Sequence, residues 1–306
     1  MKKTNRIKQK FDAFMMVTYI VVVLYVLSMI YILYSGMINT FKGFGDYFDN
    51  YLSWPKTNPN PMKEYKGFTF ENYLKVFRTF FMYVTPSVGA KRKVYLAELY
   101  YNTGLYSLFM SIFSIGTQVI TAYAVSKYKF KLKSVIYAVG IIVMLVPIVG
   151  SLPSQIYFAY DVFNFKNSLI GICIMNCKYP GIYFLVFYAA FKSVPWTYAE
   201  AAQIDGAGHL KIFLEVMLPM VSSTIFAVFI LYFIQFWNDY QTPMIFLPDK
   251  PTVSYALYDL STSVEPEVDG LVVLTAAFVS CIPVIVIFVA FRNIIMGNVS
   301  VGGIKG

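Results

Sequence analysis

Long runs of apolar residues, separated by short polar stretches, are the feature of this sequence that most limits its fold. A helix needs roughly twenty apolar residues to cross the hydrocarbon core of a bilayer. Charged residues make up only 13% of the 306 positions, whereas soluble globular domains carry about 25%. We therefore predict an all-α integral membrane protein. Its six predicted transmembrane helices are residues 14–36, 103–125, 135–157, 168–191, 221–243 and 271–293.

Basic residues near the ends of the predicted spans indicate the orientation, because short cytoplasmic loops carry an excess of lysine and arginine. The stretch 2–10 before the first span holds five basic residues, and the loop 127–133 after the second span holds four lysines. The loop after the third span has only Lys166. Both termini are therefore predicted to be cytoplasmic. The first apolar stretch, from Phe14 to Tyr34, is longer than the core of a cleaved signal peptide, so we interpret it as a retained anchor.

The polar stretches divide the chain into three predicted parts. Residues 1–36 hold an N-terminal cytoplasmic segment and the first span, residues 37–102 form an extracytoplasmic loop, and residues 103–306 form a core of five helices with a C-terminal tail. The loop contains a proline-rich patch at 53–61, and apolar residues recur at helical spacing over 71–80. We expect this aromatic-rich loop to fold back on the membrane surface or to contact a partner.

Several classes of function lack support in the sequence. The phosphate-binding pattern G-x-x-x-x-G-K-[ST] does not occur, so ATP hydrolysis is not expected from this chain. Cys173, Cys177 and Cys281 fall inside predicted spans without histidine or carboxylate partners, which favours packing over a metal site. The net charge of +9 is divided among separate loops, unlike the continuous basic surface of a nucleic-acid-binding protein. We predict no catalytic residues, no metal and no cofactor bound by this chain.

The loop after the fourth predicted span, residues 193–220, is the most informative one. Ser193 is expected to cap a short helix that begins near Pro195. The helix is expected to end near Asp205 and Gly206, because glycine readily adopts the backbone turn that ends a helix. A second amphipathic stretch follows, and Pro219 marks the start of the fifth span. Two short helices joined by a glycine bend form a compact projection that another protein can grip, and we call residues 193–220 the knob.

The motifs of the knob resemble those of a known family. Glu200-Ala201-Ala202, Asp205-Gly206-Ala207 and Leu218-Pro219 stand at the spacing of the EAA loop of ABC importer permeases. In that family the loop inserts as a coupling helix into a cleft on the ATPase subunit. A carboxylate on such a helix can accept a bidentate hydrogen bond from a partner arginine, whereas a glutamate outside such a motif is more often simply solvated. The family's further proline after the Leu-Pro pair is replaced here by 222–224, Ser-Ser-Thr.

Three further stretches narrow the resemblance to carbohydrate permeases of the maltose-importer type. Trp237-Asn238-Asp239 is similar to their W-N-D/E segment, and residues 67–73, GFTFENY, are similar to their segment after the first span. The tail Gly302-Gly303-Ile304-Lys305-Gly306 resembles the ending of the subunit at the maltose-importer G position, which reaches between the two ATPase subunits. The resemblance is weaker before residue 102, where the extracytoplasmic loop is longer than usual.

The resemblance implies a type I ABC importer permease fold in a bacterial cell membrane and the import of a sugar, with an oligosaccharide favoured. The implied partners are a second permease subunit, two ATP-binding subunits that hold ATP and Mg²⁺, and an extracytoplasmic solute-binding protein. Tyr255 and Tyr258, in the loop between the fifth and sixth spans, are implied contacts of the binding protein. The implied residues of ATPase coupling are Glu200, Ala201, Ala202, Asp205, Gly206, Leu218, Pro219, Gly302, Gly303 and Lys305.

Polar residues within the fourth predicted span are candidates for the wall of a substrate pathway, because such groups are costly in the bilayer and usually face a cavity. Asn176, Lys178 and Tyr179 lie just before Pro180 and Gly181, which can open the helix and free its carbonyl groups. The alternative is a simple kink from which the Lys178 side chain extends to the membrane interface.

A second group of candidates lies late in the fifth predicted span. It consists of Gln235, Asn238, Asp239 and Tyr240. These residues offer hydrogen-bonding groups and an aromatic face of the kind that binds sugars, and packing between helices is the alternative. Gln118 and Gln155 are weaker candidates.

Other classes of membrane protein remain possible from the sequence. An ion-coupled secondary transporter needs a coupling site, but one interior acid and the lack of an evident inverted repeat argue against it. A membrane-embedded enzyme needs acids, histidines or metal ligands that converge inside the spans. A membrane scaffold without a transport function is compatible with the composition, although the spacing of the EAA motif would then be a coincidence.

Overall fold

The computed structural model describes residues 13–57, 66–86, 89–146, 150–177, 179–264 and 268–299. They belong to two compact units. The first lies within Met1–Thr79 and Val264–Val279, and the second within Phe80–Ser263 and Ser280–Gly306. The described residues are mostly helical, as the sequence predicts, and the strands among them form one two-stranded antiparallel sheet.

The first unit is built around the long helix α1 (Ala13–Asn39), which leaves its apolar side chains exposed. Two shorter helices follow, α2 (Phe44–Asp49) and α3 (Glu71–Thr79). The side-chain amide of Asn72 donates to the carbonyl oxygens of Thr40 and Lys42, both at 2.8 Å. Because Asn72 is buried, these hydrogen bonds fix α3 to the chain that leaves α1.

The second unit begins with strands β1 (Phe81–Val84) and β2 (Arg92–Tyr95), which pair with Phe81 opposite Tyr95. Its central element is α4 (Leu96–Lys127), which packs mainly against α8 and α12. The other helices of this unit are α5 (Lys133–Leu145), α6 (Leu152–Tyr157), α7 (Leu169–Met175), α8 (Phe184–Ser193), α9 (Thr197–Ile204), α10 (His209–Lys211), α11 (Leu218–Met220), α12 (Ser222–Trp237), α13 (Gln241–Phe246) and α14 (Val253–Ser261). Phe158–Val162 and Ile212–Met217 are π-helical turns, and α15 (Gly270–Val299) contributes residues to both units.

One face of α4 is lined by buried polar residues, which explains why this helix lies at the centre of the second unit. They are Thr103, Ser107, Ser111, Ser114 and Gln118, three or four positions apart. Small hydroxyl residues allow neighbouring helices to approach closely. The hydroxyl groups of Thr103 and Ser111 donate to α4's own backbone, each at 2.6 Å, whereas the buried hydroxyl of Ser107 has no partner among the described residues.

Three of the described helices are long and apolar enough to cross a membrane. They are Phe14–Asn39, Leu96–Lys127 and Gly270–Arg292, which correspond to the predicted first, second and sixth spans. A bent pair of helices, His209–Met220 and Ser222–Trp237, meets the same criteria when it is taken together.

The predicted third span is not a single helix. Its first part, α5, ends at Leu145, and α6 begins at Leu152 with Pro153 in its first turn. Proline is favoured there because it has no N–H to donate and the first turn requires none. The predicted fourth span is also interrupted: α7 ends at Met175 and α8 begins at Phe184. The opening expected at Pro180 and Gly181 is therefore present.

The predicted fifth span is shorter than the sequence indicated. Helix α12 ends at Trp237, and the next helix, α13, begins at Gln241. The candidate pathway residues Asn238, Asp239 and Tyr240 consequently lie in the connection between two helices, not inside one.

Candidate functional site

The first helix of the knob, α9, ends in a hydrogen-bonded glycine turn. Gly206 has a φ of +84°, a backbone conformation that residues with a Cβ rarely adopt. Its N–H donates to the carbonyl of Gln203 at 3.0 Å, and the N–H of Ala207 donates to that of Ala202 at 2.9 Å. This pair of hydrogen bonds is the Schellman arrangement that ends many helices. The predicted helix end at Asp205 and Gly206 is confirmed.

The predicted cap of this helix is wrong. The hydroxyl of Ser193 donates to the carbonyl of Ala190 at 2.8 Å, because α8 continues as far as Ser193. Helix α9 begins after Trp196, which offers it no side-chain cap. The first helix of the knob therefore has no side-chain cap at its N-terminus. Aromatic residues, described below, pack against this N-terminus instead.

The outer surface of the knob combines an acid with exposed apolar side chains. Glu200 is exposed, and among the described residues its carboxylate has no hydrogen bond or ion pair. Ala199, the preceding residue of the same helix, is fully buried in the core. Ile204 and Leu210 are 87% and 70% exposed. An unpaired carboxylate next to exposed apolar side chains is typical of a surface that binds another protein.

Aromatic residues at the C-terminal end of α4 pack against aromatic residues of the knob. The ring of Tyr123 lies 4.7 Å from that of Phe213, and the ring of Tyr128 lies 6.1 Å from Trp196 and 5.7 Å from His209. The Tyr128 hydroxyl is also within 3.3 Å of Nδ1 of His209. His209 is exposed, and it is also part of this packing. The sequence contains no motif that marks the two tyrosines.

The knob leads directly into helix α12. After the π-helical turn and α11, the chain bends by 76° between Met220 and Ser222. The bend follows Pro219, where the sequence predicted the fifth span to start. Beyond the bend, α12 carries Gln235 in its last turn, and Asp239 follows shortly after its end. One continuous stretch of chain therefore contains both the knob and two of the candidate pathway residues.

The interruption between α7 and α8 is held against α4 by Gln118, which is 2% exposed. Its side-chain oxygen accepts the N–H of Tyr183 at 3.0 Å, and its amide nitrogen donates to the Tyr232 hydroxyl at 2.7 Å and to the Ser114 carbonyl at 2.8 Å. Gly181 lies directly over this amide: a Cβ at that position would stand 1.9 Å from the amide carbon of Gln118. Only glycine fits there while Gln118 keeps its hydrogen bonds.

Two adjoining cavities lie beside this interruption. The first, of about 350 Å³, brings together residues of α4, α6, α7, α12 and α13, and its polar residues are Gln155, Asn176, Gln235, Asp239, Gln241 and Thr242. The second, of about 430 Å³, is lined by Gln118, Tyr179, Gly181 and Tyr232 among others. Asn176, Gln235 and Phe236 line both cavities. Asn176 and Gln235, together with Asp239 of the first cavity and Tyr179 of the second, form what we call the polar wall, to which the fourth and fifth predicted spans both contribute.

The carboxylate of Asp239 is fixed at the edge of the first cavity. Its Oδ2 accepts the hydroxyl of Tyr106 at 2.7 Å, and its Oδ1 accepts the N–H of Thr242 at 3.1 Å. Tyr106 is 2% exposed and lies on α4, so the carboxylate is held by a side chain that cannot move away. The sequence contains no motif that marks Tyr106. The polar face of α4 was the available signal, since Tyr106 lies three positions after Thr103 of that face.

The other candidate residues lie elsewhere. Asn238 is exposed, donates to the carbonyl of Ile234 in its own helix at 2.8 Å, and lines neither cavity. Tyr240 stacks on Tyr258 with ring centroids 4.7 Å apart and an interplanar angle of 15°. A candidate pathway residue and a candidate binding-protein contact are therefore neighbours. Tyr255 is half-buried, and burial raises the pKa of its hydroxyl, with a smaller contribution from Asp259.

Four of the candidate residues, Lys178, Gly302, Gly303 and Lys305, lie outside the described residues. Within the described part of the chain, histidine, cysteine and acidic side chains form no group of three or more that can hold a metal ion. The two cavities offer side-chain amides, hydroxyl groups, one carboxylate and aromatic faces. This set can form hydrogen bonds with a neutral polar solute along a path.

Comparison with known proteins places these features in a family. The family model described as "Binding-protein-dependent transport system inner membrane component" matches residues 113–299. The melibiose/raffinose/stachyose import permease protein MelC of Bacillus subtilis (strain 168) is 26% identical over 212 residues, 69% of this chain and 77% of the relative. The arabinooligosaccharides transport system permease protein AraQ of the same organism is 27% identical over 211 residues, 68% of this chain and 73% of the relative.

A solved structure has the same fold. It belongs to a bacterial ABC transporter involved in the import of the acidic polysaccharide alginate. The TM-score is 0.71 at 20% sequence identity, and the match covers 94% of this chain and 99% of that chain. The chain thus has the helical membrane fold of a type I ABC importer permease.

Proposed function

The chain belongs to the family of binding-protein-dependent transport system inner membrane components, and we propose that it is one transmembrane subunit of an ATP-driven importer of sugars. It resides in the cell membrane, where the knob and the two cavities serve different steps of one transport cycle. An ion-coupled transporter and a scaffold without transport are both disfavoured, because neither accounts for membership of this family.

The observation that carries the proposal is the continuity between the knob and the polar wall. The exposed carboxylate of Glu200 lies at one end of a stretch that passes through the 76° bend and ends at Gln235 and Asp239. A partner that grips the knob and moves it therefore pulls on α12, and α12 forms part of both cavities. Movement of a partner outside the membrane can in this way change which side of the membrane the polar wall faces.

We propose that the partners are a second permease subunit, two ATP-binding subunits and an extracytoplasmic solute-binding protein. The ATP-binding subunits hold ATP and Mg²⁺ and hydrolyse the nucleotide, while this chain binds no cofactor. The surface that faces an ATPase lies on the knob and is extended by the tail. On the knob it consists of Glu200, Ala201, Ala202, Asp205, Gly206, Leu218 and Pro219, and on the tail of Gly302, Gly303 and Lys305. The free carboxylate of Glu200 and the exposed Ile204 and Leu210 support this assignment, because they have no partner within the described chain.

Six spans with both termini in the cytoplasm are part of the proposal. Three long apolar helices and the bent pair support four of them. The remaining two are the interrupted elements α5 with α6 and α7 with α8, whose parts are each too short to cross a bilayer alone. The division of the chain at residues 36 and 102 belongs to the same proposal and places residues 37–102 outside the cell.

We propose that the solute passes along the polar wall formed by Asn176, Tyr179, Gln235 and Asp239, with Lys178 close to it in the sequence. The stacked pair of Tyr240 and Tyr258, together with Tyr255, forms the proposed contact with the binding protein. An oligosaccharide is the favoured solute, because MelC and AraQ are named for the import of oligosaccharides. The amide-rich lining supports this choice, since sugar hydroxyl groups both donate and accept hydrogen bonds.

The experiment that tests the proposal compares Glu200→Ala with Glu215→Ala. Both acids are exposed residues of the knob, but Glu215 already has a partner in Lys211 at 3.9 Å. Each variant is expressed with its neighbouring genes, purified from membranes, and assayed for bound ATPase subunits and for uptake of a labelled oligosaccharide in vesicles loaded with ATP.

We expect Glu200→Ala to lose ATP-driven uptake, or the ATPase subunits themselves, and Glu215→Ala to keep both. Equal activity of the two variants would remove Glu200 from the coupling contact. Uptake by the wild type that follows an ion gradient and needs no ATP would contradict the importer itself and favour a secondary transporter.

A further inference from the structure

In the first unit the chain turns back after α1 and runs beside the last turns of that helix. The Tyr31 hydroxyl donates to the carbonyl of Leu52 at 3.3 Å, and the Ser35 hydroxyl donates to that of Tyr51 at 3.3 Å. The side-chain amide of Asn39 donates to the same Tyr51 carbonyl at 3.0 Å. The three donors are four positions apart, so they lie on one face of α1. We call residues 44–54 the return segment.

The return segment is held in place by buried polar contacts. Asp46, which is fully buried, accepts the N–H of Lys56 at 2.8 Å and the side-chain amide of Asn50 at 3.1 Å. Lys42, also fully buried, donates to the carbonyl of Asn50 at 2.5 Å. Buried charged groups persist only where hydrogen bonds satisfy them. These contacts therefore fix the path of the return segment along α1.

The side chains of this fixed segment point outward and are mostly apolar or aromatic. Phe48 is 66% exposed, Tyr51 and Leu52 are each 56% exposed, and Trp54 is 62% exposed. The Trp54 ring also meets that of Tyr34 edge to face, with centroids 6.3 Å apart. Large apolar side chains that are close together in the chain and held in an outward position mark a contact surface. We therefore expect an apolar environment, either lipid or protein, to cover them.

The length of α1 indicates what covers them. A helix of 27 residues is about 40 Å long, whereas the hydrocarbon core of a bilayer is about 30 Å thick. If the apolar stretch enters the core at its start near Phe14, a core of about 30 Å ends near Tyr34. Ser35 and Asn39, which donate to the Tyr51 carbonyl, therefore lie in the boundary between acyl chains and headgroups. Tyr31, which donates to the Leu52 carbonyl, lies about one helical turn inside the core. Tryptophan and tyrosine are enriched at this boundary because their rings are apolar and their N–H or O–H groups are polar.

We propose that the return segment is an interfacial anchor, with Phe48, Tyr51, Leu52 and Trp54 embedded in the headgroup boundary of the bilayer at the C-terminal end of α1. Its lipid contact continues that of α1 itself, whose exposed apolar side chains face the acyl chains. The anchor sets the depth and rotation of α1. It depends on α1 spanning the membrane and not on the solute or on the ATPase partners.

The test uses the fluorescence of Trp54 in the full-length chain, reconstituted in phosphatidylcholine vesicles. The chain has three tryptophans, so the Trp54 signal is taken as the difference between the wild type and Trp54→Phe. Acyl chains brominated near the headgroup, acyl chains brominated near the bilayer centre, and aqueous iodide serve as three separate quenchers. We expect the shallow bromines to remove most of the Trp54 signal, the deep bromines less of it, and iodide the least.

A tryptophan on α3 is the matched control. Lys75 is exposed and charged on that helix, which is fixed to the chain beyond the end of α1. In Trp54→Phe/Lys75→Trp, we expect iodide to quench the new tryptophan more strongly than either brominated lipid. In Trp54→Phe/Phe48→Trp, the new tryptophan should behave as Trp54 does, which keeps the test valid if Trp54→Phe alters the local packing.

Three results would overturn the proposal. Quenching of Trp54 by iodide alone would place the return segment in water, and quenching by none of the three would show that protein covers it. Equal lipid quenching of the residue 54 and residue 75 positions would show that the contact is not confined to the return segment.

Discussion

The knob and the two cavities are built from the chain in opposite ways. The hydrogen bonds that end the first helix of the knob join residues of one short stretch, 202–207. In the cavities, the bond between Asn176 and Ser114 spans 62 positions, and that between Tyr106 and Asp239 spans 133. The turn in the knob forms without contacts to other helices. The lining of the cavities forms only if α4, α8 and α12 pack correctly, because its residues are distant in the sequence. Substitutions in the knob should therefore reduce coupling in an intact protein, and substitutions at the cavities should reduce stability and transport together.

Gly181→Ala should have the largest effect. The added Cβ collides with the side-chain amide of Gln118, which three hydrogen bonds hold in place. Overpacking of this kind costs about 1–3 kcal/mol, and each hydrogen bond that Gln118 then loses adds about 1 kcal/mol. We expect a lower unfolding temperature of the purified chain and a loss of sugar uptake by the assembled transporter. Thermal unfolding in detergent and vesicle uptake measure the two effects.

Gly104→Ala is the matched control for this collision. Gly104 lies on α4, and a Cβ there would have no atom within 4 Å, so we expect no loss of stability. The double variant Gln118→Ala/Gly181→Ala should unfold at a higher temperature than Gly181→Ala, because the alanine at position 118 frees the space. If Gly181→Ala unfolds at the same temperature as Gly104→Ala, the close contact between Gly181 and Gln118 is not a feature of the protein.

Tyr106→Phe should have the next largest effect. It removes the hydroxyl that holds the Asp239 carboxylate, and a hydrogen bond to a charged group contributes about 1.5–3 kcal/mol. Tyr179→Phe provides the comparison, because its hydroxyl donates to the neutral carbonyl of Ile136 at 2.8 Å. We expect Tyr106→Phe to lower the unfolding temperature more than Tyr179→Phe does. Equal effects would show that the carboxylate does not depend on Tyr106.

Gly206→Ala should act on the knob alone. An alanine at a φ of +84° costs about 1–2 kcal/mol, so the Schellman turn would be weakened. Because no cavity residue depends on this turn, we expect a fall in ATP-driven uptake and in ATPase binding with an unchanged main unfolding transition. Gly208→Ala is the control, since Gly208 has a φ of −71° that alanine adopts freely. A change in unfolding temperature as large as that of Gly181→Ala would contradict the local character of the knob.

The same contrast explains how much the sequence could predict. The glycine turn of the knob was predicted correctly, because Asp205 and Gly206 define it by themselves. The opening near Pro180 and Gly181 was likewise visible in the residue types. The partners of Gln118 and Asp239 were not predictable, since Tyr232 and Tyr106 lie more than a hundred positions away in the chain. The spacing of residues shows which of them share one face of a helix. It does not show which other helix packs against that face.

The capping error has the same origin. Ser193 is a good N-cap residue by type, but its hydroxyl is used within α8 because that helix extends further than the loop composition indicated. The third and fifth predicted spans differ from the structure in a similar way. Their apolar composition predicted continuous helices, whereas α5 ends at Leu145 and α12 ends at Trp237. Composition reports that a segment lies in the membrane, but not that its backbone opens there.

Asn238→Ala should have the smallest effect, although its residue belongs to the motif that first suggested a substrate pathway. The three residues of that motif have separate environments. Trp237 is buried and donates to the carbonyl of Ser280 at 3.3 Å, Asp239 faces the first cavity, and Asn238 is exposed. Its side chain donates only to its own helix, and substitutions of such exposed residues usually change stability by less than about 0.5 kcal/mol.

Asn176→Ala is the comparison that makes this prediction informative. Both substitutions remove one asparagine amide, but Asn176 lines both cavities and donates to the Ser114 hydroxyl at 3.3 Å. If the polar wall is the pathway, uptake should fall in Asn176→Ala and remain near the wild-type rate in Asn238→Ala, with ATPase binding retained in both. The reverse order would move the pathway to the exposed side of α12, and the two cavities would then be structural features only. Because both variants leave the knob unchanged, the result separates the site of passage from the site of coupling.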